Sequence, residues 1–328
     1  MLNTQLKTLF KLLNISLFDR EYWVYRTFKK FERDCTDKCS IRLSLKYSFA
    51  IIVQGPIIED DDFTFESLKL YRKNFPEAIL ILSAWTVSSD LEMQLKEYNV
   101  YVIKNQQPEN PGIANINLQI TTSRYGVLLA KKLGAEFVLK TRADQRIYHP
   151  SLDAYLISLL RAFPLKKDRS FTQSERMVAI SLNTFKLRIY GVSDMFLFGH
   201  INDMCKYWDV ALDQRWDTIE ERKRGGNTWK SFSMWRVCEV YLCSMFIESL
   251  GRKLNFTLAN YYDVLRDHFV IVDQSAIKLF WKKYTLTEDR YAVISAFDPE
   301  ITFNDWLVLY QNSGGIIVDE GAISKITV

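Results

Sequence analysis

The feature of this sequence that most constrains its fold is an alternation, through its first half, of short apolar runs with helix-length amphipathic segments. Tyr47-Ser-Phe-Ala-Ile-Ile-Val-Gln-Gly-Pro56 is apolar almost throughout and is stopped by Gly55-Pro56, the pattern of a strand buried on both faces. Residues 64–75, acidic early and basic late and closed by Pro76, predict a helix. A second strand over 78–85, a helix over 89–98 and a third strand over 100–104 continue the series. After Pro108 and Pro111, residues 117–133 read as a helix ended by Gly134, a residue suited to the left-handed position just past a helix, and the strand Phe137-Val-Leu139 follows at once. Apolar strands joined by helices make an α/β fold, with a mainly parallel central sheet flanked by helices.

The second half is less regular. A helix over 150–161, a strand over 176–182 and the apolar run Gly191-Val-Ser-Asp-Met-Phe-Leu-Phe-Gly199 are followed by a helical stretch over 202–212. Residues 213–230 are charged and contain Gly225-Gly226, and so are expected to form a mobile loop. A helix over 233–250, the aromatic segment Asn260-Tyr-Tyr262, a strand over 269–272 and a helix over 276–284 complete the reading. No internal repeat or low-complexity linker divides the chain, so 47–328 is expected to be one domain, preceded by an extension over 1–46. In that extension Leu2, Leu6, Leu9, Phe10, Leu13 and Leu17 recur at helical spacing, with Lys7 and Lys11 on the remaining face. Such a basic amphipathic helix packs on its own domain or lies on an anionic membrane surface.

Composition excludes several classes. Of 328 residues, 48% are hydrophobic and 25% charged, which supports a sizeable core and not a disordered chain. A net charge of +4 without a basic cluster argues against nucleic acid as a partner. The five cysteines show no paired spacing for zinc and fit a reducing cytoplasm. No apolar run approaches the roughly 20 residues of a membrane span, and the start carries no small-residue cleavage site, so the expected location is cytoplasmic.

Charge collects where the fourth strand would end. In Lys140-Thr-Arg-Ala-Asp-Gln-Arg146 strand alternation puts Lys140, Arg142 and Asp144 on one face, at the carboxyl edge where open α/β sheets bind ligands. These residues are candidates for an anion site; the competing reading is a solvated ion-pair cluster. Gln54 ends the first strand. Asp194 is embedded among apolar residues and needs specific partners there. His149, His200 and His268 are too scattered for a triad or a zinc site and are assigned structural roles.

Two resemblances follow from these blocks. Arg124-Tyr-Gly126 with Ala130 and Gly134, leading into Phe137-Val-Leu139, resembles the first half of a GT-A glycosyltransferase, in which such a helix precedes an Asp-x-Asp strand. More narrowly, Val53-Gln-Gly-Pro-Ile57, the block Lys140 to Arg146, and Ser193-Asp-Met-Phe-Leu-Phe-Gly199 resemble the WavE family of lipopolysaccharide-synthesis proteins, over residues 47–310. The resemblance implies a GT-A-like enzyme that moves a sugar from a nucleotide-sugar donor to lipopolysaccharide or another bacterial surface glycan. It would work in the cytoplasm, and the basic extension leaves open a peripheral contact with the anionic inner face of the plasma membrane. Donor binding would fall to Gln54, Arg124, Lys140, Arg142, Asp144 and Arg146, and the catalytic base would be Asp194 or Glu239.

Arg142 stands where the first Asp of Asp-x-Asp would be, and Asp144 where the second would be. One carboxylate holds Mg²⁺ or Mn²⁺ less firmly than two, whereas arginine meets phosphate directly through its planar fork. Metal-assisted transfer with Asp144 as a ligand and metal-independent transfer therefore both stay open. The alternative function is a non-catalytic nucleotide-binding or scaffold module of a glycan-assembly complex at the membrane. A nucleotidyltransferase ranks third, because the Gly-rich phosphate loop expected after the first strand is missing.

Overall fold

The computed structural model describes residues 47–166, 172–282, 299–312 and 318–324. The extension expected over 1–46 lies outside the described residues.

Four apolar runs become the parallel half of a seven-stranded sheet. These are β1 (Phe49–Gln54), β2 (Ile79–Ala84), β3 (Val100–Lys104) and β4 (Phe137–Arg142). β1 is buried along its whole length, as a strand covered on both faces must be. The sheet continues through β7 (Leu197–His200), β6 (Met177–Ile180) and β8 (Phe269–Val272), in the order β3-β2-β1-β4-β7-β6-β8. β7 alone runs antiparallel to its neighbours, with Leu197 opposite Lys140 and His200 opposite Phe137. The chain therefore enters β7 from the carboxyl edge of β4, which brings the segment before Leu197, and Asp194 with it, to the strand tips. A small antiparallel sheet of β5 (Gln145–Ile147) and β9 (Leu279–Trp281) stands on that edge.

Helices cover the sheet: α1 (Phe63–Asn74), α2 (Ser89–Glu97), α3 (Ile116–Lys132), α4 (Leu152–Ala162) and α5 (Ile201–Trp208). After them come α6 (Ile219–Lys223), α7 (Trp229–Met234), α8 (Cys238–Ser249), α9 (Leu258–His268) and α10 (Phe303–Gln311). α3 lies so close on β1 that a Cβ at Gly126 would stand 2.6 Å from Ile52 Cγ2. Gly126→Ala is thus expected to destabilise the fold by about 1–3 kcal/mol through overpacking, read as a lower denaturation midpoint. An unchanged midpoint would show that the helix can move off the strand. Among the described residues no helix is long and apolar enough to cross a membrane.

The second half departs from its sequence reading at three places and adds to it at a fourth. The helix expected over 276–284 is replaced, as far as Lys282, by a turn and β9: Lys278 has φ 52°, which no helix continues, and Leu279 and Trp281 then alternate as strand residues. The helix expected over 233–250 is two helices, because Arg236 has φ 55° and breaks it between α7 and α8. The segment expected to be a mobile loop contains α6 and is tied to α3. The Asn117 amide donates to the Asp213 carbonyl at 2.8 Å and accepts from its N–H at 2.7 Å, while Arg215 grips the Asp213 carboxylate with two hydrogen bonds. Finally, the aromatic segment at 260–262 lies inside α9, which is capped by Thr257, and α10 opens on a capping box of Thr302 and Asp305.

Candidate active site at the carboxyl edge of the sheet

The site is built outward from the tip of β4. Gln54 at the end of β1 is in register with Arg142, and its buried side-chain carbonyl accepts from the Thr122 hydroxyl at 2.9 Å. The chain turns sharply after Arg142, held by the Ala143 N–H donating to the Gln54 carbonyl at 2.8 Å, and carries Asp144 back beneath the arginine. Arg142 grips Asp144 with both arms of its fork, Nε to Oδ1 at 2.8 Å and Nη2 to Oδ2 at 2.9 Å. On the other side the Trp281 indole N–H donates to Asp144 Oδ2 at 3.0 Å, and the Arg142 guanidinium lies 5.7 Å over the Trp281 ring. Burial alone would raise the Asp144 carboxyl; the Arg142 guanidinium and the Trp281 N–H outweigh it and hold the group below its ordinary value. Arg142 is thereby fixed in plane and orientation.

Three side chains expected to bind the donor are engaged elsewhere. Lys140 is fully buried; its Nζ donates to the Asp194 carbonyl at 2.7 Å and sits 4.9 Å over the Trp208 ring, so it anchors the segment that carries Asp194 and does not line an open cradle. Burial pushes its amine down to about 7, against the pull of Asp194. Arg146 donates to the Ser67 hydroxyl at 2.8 Å and the Phe63 carbonyl at 2.7 Å, pinning β5 to α1. Arg124 donates to the carbonyls of Trp208 and Val210, where the end of α5 leaves acceptors that need partners. Strand and helix periodicity report a face and not a depth, which is why spacing grouped these residues with Arg142.

The two residues weighed as alternative bases are brought into one cluster. Asp194 is 4% exposed and lies just ahead of β7, while Glu239 sits in the first turn of α8 with its side chain 13% exposed. Burial, then the negative field of Asp194, pushes the Glu239 carboxyl up to about 7; Arg188, with Nη1 3.8 Å from Glu239 Oε2, and Arg142 more weakly, oppose that rise. The cluster therefore offers one carboxylate poised near neutrality within the field of the arginine at the β4 tip. Sequence reading missed Arg188 and Trp281. Trp281 carried a signal, the alternation of 279–281. Arg188 carried none, since beyond the nearby Phe185 its neighbours Phe232 and Glu239 come from distant segments. The histidines lie outside the cluster: His149 stacks on Tyr155, His200 caps α5, and His268 bonds Gln173.

The donor set at the β4 tip does not fit a hard divalent cation. Mg²⁺ and Mn²⁺ favour several oxygen ligands, yet Asp144 supplies one carboxylate, and both its oxygens already accept from Arg142 and Trp281. Among the described residues no group of three or more His, Cys, Asp or Glu side chains is arranged to hold a metal. Along the same edge, a groove of about 490 Å³ lined by Lys104, Gln107, Thr121, Arg124 and Tyr125 opens beyond β3.

Comparison with known proteins gives a family and several distant likenesses. The model of the family described as WavE lipopolysaccharide synthesis matches residues 49–319. No curated protein matches the chain. Among solved structures, the chain is similar to glucosyl-3-phosphoglycerate synthase from Mycobacterium tuberculosis, with 10% identity and a TM-score of 0.40 over 82% of this chain and 81% of that one. It is also similar to a glycosyltransferase involved in glycosylation of the major capsid of PBCV-1, with 14% identity and a TM-score of 0.28 over 54% of this chain and 73% of that one. The identification rests on the family match, which takes in the sheet, the β4 tip and the carboxylate cluster together. This chain belongs to the WavE lipopolysaccharide synthesis family.

Proposed function

We propose that this WavE protein transfers a sugar from a nucleotide-sugar donor to a lipopolysaccharide or related surface glycan, by a single inverting displacement. The observation that carries the proposal is the juxtaposition of an oriented arginine at the β4 tip with a buried carboxylate held near neutrality. The nucleoside lies along the carboxyl edge of β1 to β3, beside Gln54 and the groove beyond β3. Its diphosphate meets Arg142, whose plane Asp144 and Trp281 fix. Glu239 takes the proton from the acceptor hydroxyl as that oxygen attacks the anomeric carbon. The bond from that carbon to the diphosphate oxygen breaks, and Arg142 stabilises the charge that departs with the nucleoside diphosphate. Asp194 keeps Glu239 basic, and Lys140 keeps Asp194 in place. No metal is needed at Asp144 in this scheme, because Arg142 supplies the positive charge.

The test is release of nucleoside diphosphate from a panel of sugar nucleotides, with and without lipopolysaccharide-derived acceptors. One donor is expected to release nucleotide in an acceptor-dependent way, and Asp144→Asn, which loosens Arg142, is expected to lose most of that release while remaining folded. A wild-type protein that is stabilised by a sugar nucleotide but releases nothing with any acceptor would be a binding module and not a transferase.

A further inference from the structure

Arg188 is held in place, yet among the described residues its only charged contact is a long ion pair to Glu239. Its stem lies flat along the backbone at Gly191, where a Cβ would stand 2.8 Å from Arg188 Cγ and Cδ, so only glycine fits there. Its guanidinium is held 4.3 Å over the Phe185 ring and 5.5 Å from the Phe232 ring. The ion-pair contact to Glu239 is 3.8 Å, too long for a hydrogen bond, and the buried Nε has no acceptor. Among the described residues no acceptor takes any Arg188 N–H. The comparably buried Arg266, and the more exposed Arg124 and Arg215, each bond a carbonyl or a carboxylate. A buried donor left unmet is costly, and an arginine fixed on aromatic faces with its fork unused is shaped for an oxyanion.

The surroundings narrow the ligand. Among the described residues the Ser193 and Tyr207 hydroxyls are also buried without partners. Burial raises the Tyr207 hydroxyl well above its ordinary value, and Cys243, Asp194 and Glu239 add to that rise. A guanidinium with an unmet Nε beside the Glu239 carboxylate matches a hydroxyl-bearing molecule that also carries a negative group. On the reading that this is a glycosyltransferase, we infer that Arg188 receives a phosphate or carboxylate group of the acceptor, next to the hydroxyl that Glu239 activates. The donor's diphosphate has Arg142, whereas Arg188 faces the base. An anion bound there also draws Arg188 away from Glu239, so that the carboxylate gains proton affinity when the acceptor is in place.

The experiment uses the full chain carrying Arg142→Met, which removes the donor-side arginine, and titrates it by calorimetry with inorganic phosphate and, separately, acetate. Binding of at least one anion is expected, weakened about tenfold or more when Arg188→Met is added and partly kept with Arg188→Lys. In the otherwise wild-type chain, Arg188→Met is expected to raise the acceptor KM, leave the donor KM unchanged and move the acid limb of the pH profile upward, since the charge that lowers Glu239 has gone. Thermal melts of each variant check folding, and Arg188→Lys carries the comparison if the Met variant unfolds. Failure of both anions to bind, equal affinity with and without Arg188, or a rise confined to the donor KM would overturn the inference. Each of those results leaves the glycosyltransferase reading standing, because nucleotide release decides that separately.

Discussion

Glu239→Gln is expected to lower kcat by about 10²–10⁴-fold without weakening donor binding, because the amide keeps the shape of the carboxyl but cannot accept the acceptor's proton. The same site sets the pH dependence. Glu239 is raised by burial and by Asp194 to about 7, so kcat/KM of the wild type should climb as pH rises through about 7, and whatever activity the Glu239→Gln variant retains should lack that limb. Stability moves the other way. A carboxyl whose folded value exceeds its unfolded value stabilises fully at pH below the unfolded value, and that contribution is lost as pH rises through the folded value. Glu239→Gln should therefore melt above wild type at pH 8 and lose that advantage toward pH 5. Lys140, lowered to about 7 by burial, has the opposite slope, with stability gained between about pH 7 and its ordinary range, and it cancels in the comparison of the two proteins. Turnover that survives in Glu239→Gln but disappears in Asp194→Asn would give the base role to Asp194.

Arg142→Ala is expected to lose ten- to a hundred-fold in kcat/KM, since a charge-assisted contact removed from a desolvated site is worth about 1.5–3 kcal/mol. Arg142→Lys keeps the charge but not the planar fork, and should recover only part of the loss. The structure adds a consequence. Without Arg142 the Asp144 carboxylate keeps the Trp281 N–H but loses the charge that offsets its burial, and its oxygens become open to a cation. EDTA should then leave the wild type active, while added Mn²⁺ should partly rescue Arg142→Ala. If EDTA abolishes wild-type turnover, Mn²⁺ restores it and Arg142→Ala behaves normally, the metal is essential and the arginine plays no part in transfer.

Much of the scaffold was legible in the chain because its signals are local. A strand buried on both faces such as Phe49–Gln54 is a near-continuous apolar run, β4 opens on one at Phe137-Val-Leu139, and the helices between them end at residues that break them. Once the fourth run was a strand, the charged residues after it had to lie at the carboxyl edge, so the position of Arg142 and Asp144 was legible without any knowledge of their partners. The second half was less legible because its boundaries depend on single backbone angles, at Arg236 and Lys278, for which the side-chain pattern gives no warning.

The sequence by itself determined the parallel half of the sheet, the order of its strands along the chain and the charged tip of β4, since each follows from residues a few positions apart. Only the tertiary structure decided which charges are taken up by other groups of the fold. Arg124 and Arg146 are taken up by carbonyls of α5, its outgoing chain and α1, Lys140 sinks beneath Asp194, and Arg188 emerges between Phe185 and Phe232 beside Glu239. The physical reason is that a charged side chain goes where its desolvation is best offset, and the groups that offset it lie tens of residues away in the chain and adjacent only in the fold.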